Sequence, residues 1–67
     1  MIPDTDIHKI AIRMVRKHGA AAPTYADIQA DNLLGVGDTH NYETWKRILM
    51  AIEELLATQP LQAANVN

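Results

Sequence analysis

The longest helical pattern in the chain runs from residue 41 to residue 57, where apolar side chains recur every three or four positions. On a helix that turns by about 100° per residue, this spacing places them along one face. They are Tyr42, Trp45, Ile48, Leu49, Ile52, Leu55 and Leu56. We predict that this segment, which contains the only tryptophan, forms the helix around which the rest of the core packs.

A second apolar stripe with helical spacing lies in the N-terminal part of the chain. It consists of Ile7, Ile10, Ala11, Met14, Val15 and His18. Asp4 or Thr5 can accept hydrogen bonds from the free amides of a first turn, and Gly19 can take the left-handed conformation that ends a helix. These signals predict a first helix over about residues 5–18.

The segment between these two patterns carries a narrower stripe, formed by Ala26, Ala30, Leu33 and Leu34. Pro23 suits a first helical turn, where the amide it lacks needs no partner. Gly35 and Gly37 favour an exit from the helix, and Asp38 or Asn41 can cap the next one. We therefore predict a second helix over about 23–35 and a third over about 39–57.

Three helices with short connections are expected to form an all-α, up-down-up bundle, because short turns make consecutive helices antiparallel neighbours. That arrangement pairs Trp45 with both other helices, through Ile7, Ile10 or Ala11 and through Leu33 or Leu34. A near-orthogonal array would keep the same core but change these pairs. Residues 4–58 form one domain, and residues 59–67 lack periodicity and predict a flexible tail.

Composition narrows the class of protein. A single domain of 67 residues has a small core and is marginally stable by itself, so an oligomer is plausible. A hydrophobic content of 48% is too high for intrinsic disorder, and no apolar run approaches the roughly 18 residues of a membrane span. The absence of cysteine excludes disulfides, and no secretory signal is visible, so a cytoplasmic location is expected.

Residues that could carry catalysis do not form a recognisable set. The only ligand-like spacings pair Asp4 with His8 and Asp38 with His40, and two ligands do not hold zinc. His18 lies at a predicted helix end, where a partly buried capping role explains it. Asp27 and Asp31 lie one turn apart on an outer face, without the desolvation that an acid/base pair needs. We expect no enzyme activity, no metal and no cofactor.

Five apolar residues fall outside the predicted core stripes: Ile12, Tyr25, Ile28, Val36 and Met50. Single exposed apolar residues are common, but one or more on each helix can complete a patch. We predict a small protein–protein interaction module, most simply a homodimer, with Tyr25, Ile28 and Val36 in the interface. Either Ile12 or Met50 would join them. The alternative is a set of scattered surface residues without a partner.

A second class of function is nucleic-acid binding, because three short helices also form helix-turn-helix domains. The basic residues of the first helix, Lys9, Arg13, Arg16 and Lys17, could contact phosphates. The third helix, which would enter the groove, faces outward with three acids against two bases, Glu43, Glu53 and Glu54 against Lys46 and Arg47. This charge balance disfavours nucleic acid as the partner.

Several motifs follow one another in a fixed order over about residues 5–57. They are Met14-x-x-x-His18-Gly19, the alanines from Ala20 to Ala30, Leu33 and Leu34, Gly37-Asp38, Trp45, and the apolar run from Ile48 to Leu56. In this order the chain resembles a family of short uncharacterised proteins from alphaproteobacteria. It departs from their more basic second helix at Asp27, Gln29, Asp31 and Asn32. The resemblance implies a shared small helical fold, with no catalytic residues to carry over.

Overall fold

The computed structural model describes residues 4–58, which contain helices and no strand. An α-helical N-terminal segment (Asp4–His18) is followed by a short 3-10 turn (Gly19–Ala21) and an α-helical middle segment (Ala22–Gly35). After a loop, the C-terminal helix spans Thr39–Ala57. The predicted all-α class is therefore confirmed, whereas the predicted tail over residues 59–67 lies outside the described residues.

The prediction of three separate helices in an up-down-up bundle is wrong. Between residues 4 and 35 no loop separates the helical elements, so the described residues form two helices, separated by residues 36–38. Gly19 does adopt the predicted left-handed conformation, with φ of 59°. The residues that follow it nevertheless continue as a 3-10 turn, in which the Ala22 amide donates to the Gly19 carbonyl. Alanine favours helical conformation, which explains why this junction stays helical.

The N-terminal and middle segments make few contacts with each other, and both pack mainly on the C-terminal helix. Ile7 and His8, near the start of the N-terminal segment, share a groove with residues 47–57 of that helix. The up-down-up arrangement would have placed them beside its first turns. The residues of the junction form a 3-10 turn instead of a reversing loop, and the two segments make little contact with each other.

The core lies where the C-terminal helix contacts both segments. Its buried cluster consists of Ile7, Ala11, Ala22, Ala26, Ile48 and Ile52. Partly buried residues surround this cluster, namely Ile10, Met14, Val15, Trp45, Leu49, Ala51, Leu55 and Leu56. Trp45 therefore packs against the core, as both predicted arrangements required.

The middle segment contacts the C-terminal helix through alanines. Ala22, Ala26 and Ala30 are fully buried, and this pair of elements has the most extensive contact in the described structure. Leu34 was predicted to belong to the core but is 49% exposed, while Leu33 is half-buried. Each step of four residues turns a helix about 40° beyond a full turn, so Leu34 has rotated away from the alanine face.

Hydrogen bonds define both sides of the loop at residues 36–38. The amides of Gly37 and Asp38 donate to the carbonyls of Leu34 and Leu33, at 3.0 and 2.9 Å. This pair of bonds, with Gly37 at φ of 82°, closes the middle segment as a Schellman motif. The Asp38 carboxylate accepts from the Asn41 amide at 3.2 Å, so Asp38 is the N-cap of the C-terminal helix. Hydrogen bonds from the Asn41 side chain and amide hold the pKa of Asp38 below its ordinary value.

We expect alanine substitutions at two neighbouring glycines to have opposite effects on stability. Neither glycine has an atom within 4 Å of an added Cβ, so backbone conformation alone decides the outcome. Gly37→Ala should destabilise the protein by about 1–2 kcal/mol, because the left-handed conformation is strained for alanine. Gly35→Ala should stabilise it by about 0.4–1 kcal/mol by restricting the unfolded chain. Urea denaturation of both variants tests this, and a shift of the same sign in both would contradict it.

Candidate functional site

The residues predicted to form an interface are accessible at the surface. Tyr25 and Ile28 are 48% and 50% exposed, Met50 is 66% exposed, and Val36 is 79% exposed. Ile12 is half-buried. Their exposure agrees with their positions outside the predicted stripes, while their role in an interface stays a prediction.

Three of these residues lie on one flank of the middle segment. Around the helix axis, an arc of about 80° contains Tyr25, Ile28 and Val36. This angle treats Val36, which follows the last helical residue, as one further helical position. Its backbone angles, φ of −97° and ψ of 6°, remain close to that path. We call this group the middle surface. It lies to one side of the buried alanine face, so it does not contribute to the core.

Tyr25 is held in place by a contact that the sequence pattern did not indicate. Its ring stacks on the ring of His18, with centroids 3.8 Å apart and an angle of 20° between the ring planes. His18 is half-buried, as predicted. The stack spans the 3-10 turn and joins the end of the N-terminal segment to the middle segment. Because the two residues are seven positions apart across a left-handed glycine, helical spacing alone could not have revealed the contact.

Ile12 lies on the N-terminal segment, among basic side chains. Together with Lys9, Arg13 and Arg16 it lines an open depression of about 230 Å³. We call these four residues the basic surface. Lys17, the fourth base of the predicted nucleic-acid face, is exposed but does not line this depression. The structure thus combines one predicted interface residue with three residues of the predicted nucleic-acid face.

Met50 occupies a third region. It lines a wide groove between the N-terminal segment and the C-terminal helix, of about 770 Å³, with Ile7, His8, Arg47 and Glu54 among its other lining residues. None of the other four predicted interface residues lines this groove. Met50 and Ile12 therefore line two different depressions.

Within residues 4–58, no three histidine, aspartate or glutamate side chains are placed to hold a metal ion together. Asp27 and Asp31 are both exposed, as expected for residues on an outer face. The expected absence of enzyme activity and of cofactors stays a prediction.

These features define a small all-helical protein with exposed apolar and basic surfaces. A comparison of the chain with protein-family models, with curated proteins and with solved structures found no match. The resemblance to the alphaproteobacterial family therefore stays a prediction. Over residues 4–58, no helix has the length and apolar character needed to cross a bilayer. The expected cytoplasmic location likewise stays a prediction.

Proposed function

We propose that this protein is a small, non-catalytic interaction module that forms a homodimer through the middle surface. The observation that supports this proposal is the clustering of Tyr25, Ile28 and Val36, each about half or more exposed, on one flank of one helical segment. Isolated exposed apolar residues are ordinary, whereas several on one flank are typical of a binding surface.

The stacked position of Tyr25 also favours binding. Because its ring already packs on His18, an interface that uses this ring loses less conformational entropy than one that orders a side chain without such a contact. Tyrosine is also among the residue types enriched in interfaces. Ile28, half exposed on the same flank, provides the apolar neighbour of this ring.

Self-association would also compensate for the small size of the core. Only seven residues of the described chain are buried apolar residues, and four of them are alanines. A domain of this length buries a small share of its surface, so burial of further apolar area in a dimer stabilises the folded state. The dimer would then be the form in which the domain is most stable.

The test is analytical ultracentrifugation of the wild type and the variant Ile28→Glu over a range of concentrations. We expect the wild type to dimerise, and the variant to raise the dissociation constant by about 100-fold or more. An uncompensated charge in an interface costs at least about 3 kcal/mol, which corresponds to that factor.

Met50→Glu is the matched control, because it places the same charge at an exposed apolar position in a different groove. This variant should dimerise like the wild type, and circular dichroism should confirm that both variants remain helical. A wild type that stays monomeric at about 1 mM would contradict the proposal, since that concentration detects even weak association. A dimer that tolerates Ile28→Glu would contradict the placement of the interface.

A further inference from the structure

Charge is distributed unevenly between the two segments of the first helix. Four of the six basic residues of the chain lie between residues 9 and 17, in the N-terminal segment. The only charged residues of the middle segment are Asp27 and Asp31. Although the net charge is −2, a basic segment is therefore followed directly by an acidic one.

The two acids of the middle segment are framed by exposed apolar side chains. Asp27 and Asp31 are exposed and lie one turn apart, so they share one face of the helix. Ile28 lies on one side of this pair and Leu34 on the other, and each is about half exposed. We call these four residues the acidic surface. It shares Ile28 with the middle surface, so the two are continuous.

The basic surface has the complementary pattern. Lys9, Arg13 and Arg16 follow one another at helical spacing around a depression whose apolar wall includes Ile12. Lys9 and Arg13 are four positions apart, as are Asp27 and Asp31, so the Cα atoms of each pair are separated by about 6 Å along the helix axis. The two basic residues thus have the same spacing as the two acidic residues, and an isoleucine lies beside each pair.

A second copy can bring together the acidic and basic surfaces, which lie on different segments of one chain. The N-terminal and middle segments make few contacts with each other. The basic residues lie on the side of the N-terminal segment away from Ile7 and Ala11, which face the core. In addition, like charges one turn apart repel each other within each segment, and a partner of opposite charge relieves that repulsion.

We propose that in the homodimer the acidic surface of each copy docks on the basic surface of the other copy. A two-fold axis would form this contact twice, because in such an interface each copy presents both surfaces. The proposal rests on the proposed function, since it names the partner surface of the same site. It also assigns Ile12, rather than Met50, to the interface. Ile28 of one copy would then lie against the apolar wall of the depression in the other.

A second copy fits the basic surface better than nucleic acid does. The depression includes the apolar side chain of Ile12 beside its bases. Isoleucine offers a phosphate neither a charge nor a hydrogen-bond donor. The protein also has net negative charge and exposes two acids on the adjoining segment, which repel a polyanion. A second copy supplies both the acids and the isoleucine that the basic surface would contact.

Charge reversal on each surface provides the test. One variant carries Asp27→Lys and Asp31→Lys, so both of its surfaces are basic. The other carries Arg13→Glu and Arg16→Glu, so both are acidic. Each variant alone should dimerise at least about 30-fold more weakly than the wild type, because like charges then face each other at both contacts. An equimolar mixture should form a heterodimer with a dissociation constant within about tenfold of the wild-type value.

The double variant Lys46→Glu and Arg47→Glu is the matched control, because it reverses two charges on the C-terminal helix and should leave the dimer intact. Circular dichroism verifies that every variant is folded. A mixture that stays monomeric, or reversal variants that dimerise like the wild type, would overturn the charge-paired contact. If the charge-paired contact failed in this way while Ile28→Glu still prevented dimerisation, the proposed function would stand without this contact.

Titration of the wild type with a fluorescent DNA duplex and with single-stranded RNA tests whether nucleic acid binds the basic surface instead. The proposal would be overturned if the protein stayed monomeric and bound either nucleic acid through this surface. Such binding would weaken steeply as salt rises and would be lost in the variant that carries Arg13→Glu and Arg16→Glu. Absence of binding to both nucleic acids, together with a heterodimer in the mixture, supports it. The wild-type dimer itself should weaken as salt rises, because the paired charges are then screened.

Discussion

Ile52→Ala is expected to remove a large part of the stability of this protein. Ile52 is fully buried, and it belongs to the cluster in which the C-terminal helix contacts both preceding segments. Loss of such a side chain costs about 2–5 kcal/mol, because the lost burial is compounded by the cavity that remains. At about 0.05–0.15 kcal/mol per residue, the whole domain has only some 3–10 kcal/mol of stability.

Graded substitutions separate this effect from a general sensitivity of the helix. Ile52→Val removes one methylene and should cost about 0.5–1.5 kcal/mol. Met50→Ala, two positions away at a residue that is 66% exposed, should change stability by no more than about 0.5 kcal/mol. Urea denaturation followed by circular dichroism at one fixed protein concentration measures all three. Equal midpoints for Ile52→Ala and Met50→Ala would show that Ile52 is not a core residue.

Ala26→Leu should destabilise the protein by about 1–3 kcal/mol or more, although leucine is also a good helix former. Ala26 is fully buried where the middle segment packs on the C-terminal helix. Adding three carbon atoms at a fully buried alanine forces the two elements apart or the new side chain into a strained rotamer. The result would show that small size, rather than hydrophobicity, is required at this position.

Ala57→Leu is the control, because Ala57 is exposed at the end of the C-terminal helix. It should change the free energy of unfolding by no more than about 0.5 kcal/mol. Thermal unfolding of the two variants compares them directly, since 1 kcal/mol shifts the midpoint by about 4–8 °C in a domain of this size. An Ala26→Leu midpoint at or above that of the wild type would contradict the close packing of the two elements.

The candidate surfaces could be predicted only in part. The exposure of Tyr25, Ile28 and Val36 follows from helical spacing, because each falls outside the apolar stripe of its segment. The stack of Tyr25 on His18 could not be predicted, since it depends on the path of the chain through a left-handed glycine. The depression that places Ile12 among basic side chains depends likewise on how the side chains lie on the folded helix.

The local structure of this protein was determined by its sequence. The α-helical segments end at His18, Gly35 and Ala57, which are the ends that the sequence pattern predicted for its helices. Asp38 caps the C-terminal helix through its own side chain, and Ile48 and Ile52 are buried on the predicted stripe. These features depend on interactions between residues within a few positions of one another, so the order of residue types is sufficient to predict them.

Only the tertiary structure decided how the segments are arranged. The helical junction at Gly19–Ala21 joins two predicted helices into one, and both segments then pack on the C-terminal helix rather than on each other. Leu34 was therefore placed at the surface and Ala22 in the core. Helical periodicity specifies which residues share a face, but not which neighbour covers that face. That choice depends on the angle at the junction and on the close approach that the buried alanines permit.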